Sequence, residues 1–382
     1  MAPQKHSLLI TSMGSLVGQN IMELLQGRRH TFHVAGLNTE SDNAVIFQSD
    51  EIWKCPPSAA DAYPDFLIRI IEKLQPDFVL PGRDSDVGIL SKIRDQYPEW
   101  SDMLPVGTTE AAEIMDDKFQ SADFAARHGL PFARSVDPTE LSGEPLAAAI
   151  LALGFPQIAK PRKGFGSQGV RYLINLDQAL LLCSHSPGEY VLQELIDPPA
   201  GLTKHIERYL KELEAGIPAF FQLPDDRQYA GQCMIAPGGE IGPVCCSRST
   251  MVIGRCERSE VIINPEMEGI VRRYAEAMSD IGWRGPFNIQ GRMSDRGFVA
   301  VEMNGRFSGS TSARGWMGHD EIRELYLAFR GIDIGPNPDR PTGHEGLVLR
   351  VLSDRHIRYM DIATLNQSGY WQAVSGDLSS KS

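Results

Sequence analysis

The sequence predicts an α/β unit with a small parallel sheet, followed by an α+β region that ends in a long hairpin. Three observations carry this. Between residues 7 and 81, apolar strand-like runs alternate with amphipathic helical stretches, the pattern of a parallel sheet with helices on both faces. A glycine-rich loop, Pro161 to Val170, then breaks a series of short strands. Finally, strand-like runs at 285–292 and 297–304 are joined by Ser294-Asp295-Arg296-Gly297, a hairpin signal.

Residues 7–11 read as a strand, 12–18 as a glycine turn and 19–27 as a helix with apolar residues at helical spacing. A strand at 33–38 follows within one βαβ length, then a helix at 66–74 and a strand at 77–81. From Thr109 the pattern changes to a helix holding Met115-Asp116-Asp117-Lys118, a turn at Gly129-Leu130-Pro131 and a helix around 145–153. A strand at 155–160 enters the glycine-rich loop, and short strands follow at 171–174 and 190–194. Residues 197–224 read as a loop excursion with a helix at 205–215, bordered by proline and glycine. Strands at 228–236 and 240–249, turning at Pro237-Gly238-Gly239, lead to a helix at 265–281 and the closing hairpin. The divisions expected are 1–108, 109–196 and 197–374, with 375–382 a disordered tail.

A chain of 382 residues, 42% hydrophobic, can bury a core large enough for two or three compact units. Its formal charge of -12 argues against nucleic acid as the main partner. The six cysteines show no metal-ligand or CxxC spacing, so they read as reduced thiols. The apolar run Leu8-Leu9-Ile10 is too short for a signal or a membrane span. The expectation is a soluble, cytoplasmic protein with no membrane partner.

Gly14 and Gly18 match a dinucleotide fingerprint only loosely, and Asn38 stands where an acid would hold a ribose. A tight turn is the plainer reading. An intermediate reading is that this turn and Gly82-Arg83-Asp84-Ser85-Asp86, both at strand ends, form part of a substrate crevice. Stronger chemistry lies downstream. The loop glycines Gly164, Gly166 and Gly169 can bring backbone amides close to anionic oxygens, with Lys160 and Lys163 adding charge. It is not a Walker A motif, because Gly-Lys-Ser/Thr is absent. On the hairpin, Glu302 and Asn304 are two apart and so share a face, with Gln290 on the partner strand. Such oxygen donors suit Mg2+. Arg306, two residues on, is placed to stabilise charge on a transferring phosphoryl group.

The order of these parts resembles the ATP-grasp superfamily, in particular the branch related to the carbamoyl phosphate synthetase large subunit. The carriers are Asp117-Lys118, Lys160 with Lys163-Gly164-Phe165-Gly166-Ser167-Gln168-Gly169, Gln193-Glu194-Leu195-Ile196, Asn288-Ile289-Gln290 and Glu302-Met303-Asn304-Gly305-Arg306-Phe307-Ser308. The resemblance implies an ATP-grasp fold behind a Rossmann-like N-terminal domain, and a ligase that joins a carboxylate to an amine or ammonia through an acyl phosphate. Lys118 and Lys160 would contact ATP phosphates. Lys163, Gly166, Ser167 and Gly169 would form a lid, and Glu194, Leu195 and Ile196 the adenine hinge. Gln290, Glu302 and Asn304 would bind Mg2+, Glu302 bridging two ions, with Mn2+ as a substitute. Arg306 would steady the acyl phosphate. Small-molecule carboxylates and amines are the implied partners, with a homodimer a common assembly.

Two departures stand out. Gln228-Tyr229 replaces the usual ribose-binding acid, leaving Asp226 as the candidate, and Gly305 replaces a commoner proline, which should loosen the turn. Arg248, Arg255 and Arg314 are positional candidates for substrate anions, as are the hydroxyls Ser308 and Ser310. His319 reads as structural more readily than as a base. A small-molecule kinase would share this ATP site, and a nonenzymatic nucleotide-binding regulator is the other alternative.

Overall fold

The computed structural model of the chain describes residues 5–373 except 165–167, 199, 218–225, 253–254, 342, 344–345 and 352, and it leaves the side chains of Asp226, Val252 and Arg255 undescribed. The expected lid residues Gly166 and Ser167 and the expected tail 375–382 lie outside the described residues.

Three sheets form among the described residues. The first is built from β1 (His6–Ile10), β2 (Phe32–Asn38), β3 (Glu51–Lys54) and β4 (Phe78–Leu80), with α1 (Leu16–Leu24), α2 (Tyr63–Leu74) and α3 (Asp84–Gln96) between them or following. β1 pairs in parallel with β2 and β4, and β2 with β3. The chain order therefore reverses between β1 and β4, the kind of point at which open α/β sheets bind ligands. Ser15 caps α1 by accepting from the Gly18 amide, so that helix begins three residues before the expected Gln19. β3 and α3 were not foreseen. β3 has only four residues, and α3 opens Asp-Ser-Asp and carries Gly88, which dilutes the apolar stripe.

Next come α4 (Thr109–Asp116) and α5 (Lys118–Arg127), where one helix was expected across Asp116 and Lys118. Asp117 separates them: its carboxylate accepts from the Phe119 and Gln120 amides and caps α5. The second, antiparallel sheet contains β5 (Ser135–Val136), β6 (Gln157–Pro161), β7 (Arg171–Leu173) and β8 (Tyr190–Glu194), in the order β5-β8-β6-β7. With α6 (Gly143–Leu153) and α7 (Leu176–His185) it has its own core of Leu146, Ile150, Ala159, Leu173, Ala179 and Leu192.

Helix α8 (Leu202–Glu214) lies in the excursion and precedes the third sheet. This sheet comprises β9 (Asp226–Ile235), β10 (Cys245–Val252), β11 (Arg255–Val261), β12 (Gly285–Ser294), β13 (Gly297–Asn304) and β14 (Val348–Leu349), with α9 (Pro265–Asp280) between β11 and β12. Its order is β13-β12-β9-β10-β11-β14. β10 starts at Cys245 rather than at residue 240, and β11 was not anticipated.

α10 (Thr311–Trp316), α11 (Glu321–Arg330), α12 (Tyr359–Ser368) and β15 (Tyr370–Gln372) complete the chain. β15 returns to the first sheet, antiparallel to β3. One large core joins Leu9, Leu37 and Val79 of that sheet to Val271, Trp283, Phe287 and Met303 of the α9 and hairpin region. The opposite face packs Leu8, Ile10 and Val34 against Tyr326, Phe329, Leu365 and Trp371. Burial of this apolar area is the main stabilising term. The small second sheet keeps its separate core. Among the described residues, no helix is long and apolar enough to cross a membrane.

Candidate functional site

The hairpin register sets Gln290 opposite Glu302 and Asn288 opposite Asn304. Two-residue spacing on each strand puts these four side chains on one face. Gln228 on β9 donates from Nε2 to Gln290 Oε1 at 2.6 Å, and Gln290 Nε2 donates to Asn288 Oδ1 at 3.2 Å. This amide row fixes the direction in which Gln290 points. The ladder slips between Gln290 and Gly291, so that Gly291 faces Ala300 and Val301 becomes the extra residue of a bulge. Lys160, at the end of β6, donates from Nζ to the Val301 carbonyl at 3.4 Å. The second and third sheets therefore meet at the cluster that the sequence marks for a cation.

Arg306 is nearly buried, at 9% exposure. Its Nε and Nη2 donate to the two oxygens of Asp84, the first residue of α3, at 2.8 and 2.7 Å. Nη2 also donates to Asn304 Oδ1 at 3.0 Å, and Nη1 to the Phe307 carbonyl at 3.1 Å. Burial disfavours the guanidinium charge, but the charge and hydrogen bonds of Asp84, with help from Glu302, outweigh it and raise the Arg306 pKa. Gly305, expected to loosen this turn, is instead tightly enclosed: a β-carbon there would lie 2.4 Å from two ring atoms of Trp283 and 2.6 Å from Met115 Cε.

The base of the glycine-rich loop is tied to the junction of α4 and α5. Lys118, itself buried, donates from Nζ to the Gly164 carbonyl at 3.0 Å, and its amide donates to the Arg162 carbonyl. Arg162 pairs with Asp117 at 2.9 Å and with Asp137. Burial works against the Arg162 charge, but Asp117 and Asp137 raise its pKa. Lys163 pairs with Asp116 at 3.3 Å. Burial pushes the Asp116 carboxyl up, and Lys163 only partly offsets it. Gly164 and Gly169 adopt positive φ, +134° and +74°, where a side chain would be strained. Sequence reading placed the lysines here, but Arg162, Asp116 and Asp137 gave no motif signal.

Glu194 ends β8, and its side chain is held by Arg134 and Arg296, each at 2.8 Å. Burial raises its pKa, but the Arg134 amide and the two guanidinium groups more than compensate and lower it. With that carboxylate committed, the backbone of Glu194, Leu195 and Ile196 is what remains for hinge contacts. Ile196 is buried against Ala133 and Val299. Asp226 opens β9 opposite Met251.

Several substrate candidates are otherwise engaged. Arg248 donates twice to Glu260 Oε1 on β11, at 2.8 and 2.6 Å, so this strand-to-strand pair spends the charge expected to meet a substrate anion. Ser308 is buried, accepting from Arg314 Nη2 at 2.9 Å and from the Ser310 amide at 3.2 Å. Arg314 is fully buried and pairs with Glu321 at 2.5 Å, which removes it from substrate contact. Ser310 caps α10 by position, without a side-chain bond. His319 is buried and pairs with Glu324 at 3.0 Å. Arg255 is placed by its backbone alone, opposite Val252.

At the switch point of the first sheet the two expected loops do meet. Ser15 Oγ donates to the Gly82 carbonyl at 2.9 Å, and Thr11 Oγ1 to Asp86 Oδ2 at 2.7 Å. Burial raises the Asp86 pKa despite its hydroxyl donors. A β-carbon at Gly18 would lie 2.2 Å from the Met13 carbonyl oxygen, and Asn38 Oδ1 accepts from the Gly14 amide. The turn is thus a packing device, and Asn38 braces it.

Among the described residues no group of three His, Cys, Asp or Glu could hold a metal ion. One carboxylate with amide oxygens still fits Mg2+, which binds through few carboxylates and takes further oxygens from phosphates and water. Asn304 can contribute such an oxygen: its Oδ1 accepts from Arg306 Nη2 at 3.0 Å and keeps a second acceptor site.

The arrangement, two antiparallel sheets that meet at Lys160 and Val301 after an α/β unit, is that of the ATP-grasp fold. Solved structures share it. The biotin carboxylase domain dimer of Hydrogenobacter thermophilus 2-oxoglutarate carboxylase, in complex with MgADP, ADP and bicarbonate, is similar with a TM-score of 0.61 and 13% identity, over 87% of this chain and 71% of that one. N5-carboxyaminoimidazole ribonucleotide synthetase from Thermus thermophilus is similar with a TM-score of 0.60 and 16% identity, over 89% and 81%. Carboxyaminoimidazole ribonucleotide synthase from Aspergillus clavatus, complexed with ATP, gives 0.59 and 12%, over 87% and 78%. No protein-family model matches the chain, and no curated protein matches it in sequence.

Proposed function

We propose that this protein is an ATP- and Mg2+-dependent ligase that joins a carboxylate to an amine or ammonia through an acyl phosphate, releasing ADP and phosphate. The observation that supports it best is the meeting of Lys160 with the bulge beside Glu302, which sets a lysine ammonium beside the face that carries Gln290, Glu302 and Asn304. On this reading Lys118, Lys160 and Lys163 exchange their present acceptors for phosphate oxygens. Gln290, Glu302 and Asn304 would hold one or two Mg2+ ions, with Mn2+ able to replace them, and the metal would offset repulsion between anions. A carboxylate oxygen attacks the γ-phosphorus and ADP leaves. The amine nitrogen then attacks the acyl carbon, phosphate leaves, and the extra proton passes to solvent. Positioning and fixed charge carry most of the first step, so no catalytic histidine is required.

The ribose contact is assigned to Asp226, and the hinge to Glu194, Leu195 and Ile196 through their backbone. Cytoplasmic location and a homodimer, the state named for the Hydrogenobacter domain, belong to the same proposal. The test is ADP and phosphate release from MgATP across pools of carboxylic acids, bicarbonate included, with and without amines. A condensation product seen by mass spectrometry supports the ligase. A stable phosphorylated product supports a kinase instead, and ATP binding without turnover in any pool supports a regulator.

A further inference from the structure

We infer that Asp84, on the N-terminal α/β domain, is a positioning residue for the cation site: it offsets the charge of Arg306 so that a divalent cation can share the Asn304 oxygen. This rests on the metal-nucleotide reading above. The two residues are 222 apart in sequence, and nothing in the motifs links them.

Asn304 Oδ1 already accepts from Arg306 Nη2 at 3.0 Å. An amide oxygen has two acceptor sites, so a metal ion can take the second. A guanidinium on the first would repel that ion. Asp84 removes the conflict by gripping Arg306 through two parallel bonds, at 2.8 and 2.7 Å, the geometry in which carboxylate and guanidinium fit best. The donor count agrees. A guanidinium has five N–H groups, and Asp84, Asn304 and the Phe307 carbonyl take four of them. Arg306 can therefore offer a phosphoryl oxygen a single N–H while its charge stays tied to α3. The Asn304 amide cannot turn over without setting Nδ2 against Arg306, so its oxygen stays on the Arg306 side.

The geometry behind Asp84 is rigid. A β-carbon at Gly82 would stand 2.2 Å from the Thr11 carbonyl oxygen, so β4 must run close to β1 as it delivers α3 to the hairpin. The N-terminal domain thereby contributes a charge to the ATP site.

The experiment measures ADP affinity by calorimetry with and without Mn2+, and reads the ratio of the two. Asp84→Asn should lower that metal-dependent gain about tenfold, the usual scale for a group that supports a metal ligand, without weakening metal-free ADP binding. The double variant Asp84→Asn with Arg306→Gln removes both charges and should recover the gain to within about threefold of wild type, because no guanidinium is left to repel the ion. It also leaves no unpaired buried charge, so it serves where the single variant does not fold. A folded Asp84→Asn protein with an unchanged gain overturns the inference, and so does a double variant that retains little of it. Wild-type protein that binds ADP no better with Mn2+ overturns the metal-nucleotide reading itself, and this inference with it.

Discussion

Gly305→Ala places one methyl group where the structure has no room. The new β-carbon would lie 2.4 Å from Cζ2 and Cη2 of Trp283 and 2.6 Å from Met115 Cε. Met115 ends in a flexible thioether and can move. Trp283 cannot: it is fully buried, and its Nε1 donates to the Pro286 carbonyl at 3.1 Å. The strain must pass to the backbone between Asn304 and Arg306. Overpacking of this kind costs about 1–3 kcal/mol, which for a chain of 382 residues lowers Tm by about 1–4 °C. Scanning calorimetry reads that loss, and ADP release from MgATP should fall with it because Arg306 is displaced. Adding Trp283→Phe shortens the ring, so the double variant should lose less than the two single losses combined. A Gly305→Ala protein with wild-type Tm and turnover would refute the reasoning.

Other predictions follow from the same structure. Glu321→Gln strands the Arg314 charge, both side chains being buried; it should destabilise the protein by about 3–5 kcal/mol, read by chemical denaturation, whereas a small loss would mean that the pair is not isolated from water. Glu302→Gln should reduce ATP turnover by about 100-fold or more, as the loss of a fixed transition-state charge does, with Tm held; full turnover would remove Glu302 from the site. His33 Nε2 meets Glu51 at 3.0 Å, and this hydrogen bond is the main cause that raises the His33 pKa above 6.5 and lowers that of Glu51 below 4.5. The stability His33 contributes is complete below pH 6.5 and is lost as pH rises through its raised folded value, while that of Glu51 is complete above pH 4.5 and is lost as pH falls through its lowered value. The Tm difference between wild type and His33→Gln should therefore be largest between pH 4.5 and 6.5, and a difference that grows toward alkaline pH would contradict the pairing.

The hairpin was legible in the sequence because Glu302 and Asn304 obey the two-residue period and the turn residues are explicit. The conformational freedom of Gly164 and Gly169 was legible because it is a local property of glycine, and so was the charge of Lys160 at a strand end. What escaped was non-local. Asp84 stood in a segment assigned to the crevice, but its bond to Arg306 depends on how two domains dock. Arg248 and Arg314 looked like anion ligands, yet their acids arrive from β11 and α11, and sequence position says nothing about such partners. Gly305 was read as a loosening because Trp283, whose ring fills the space beside it, comes from the segment just before β12, and sequence position does not show that the two ends of the hairpin meet there. The expected helix across Met115 and Lys118 broke at Asp117, a residue that caps one helix while following another. β15 was missed because three residues at a sheet edge carry too little periodicity to stand out.

The central claim is an acyl phosphate, and oxygen tracing tests it most directly. A substrate carboxylate identified in the screen would be labelled with 18O and turned over with unlabelled MgATP and its amine. The account predicts that each inorganic phosphate released carries one labelled oxygen, because the attacking carboxylate oxygen departs with the phosphoryl group. Phosphate free of label, alongside the same condensed product, would contradict it.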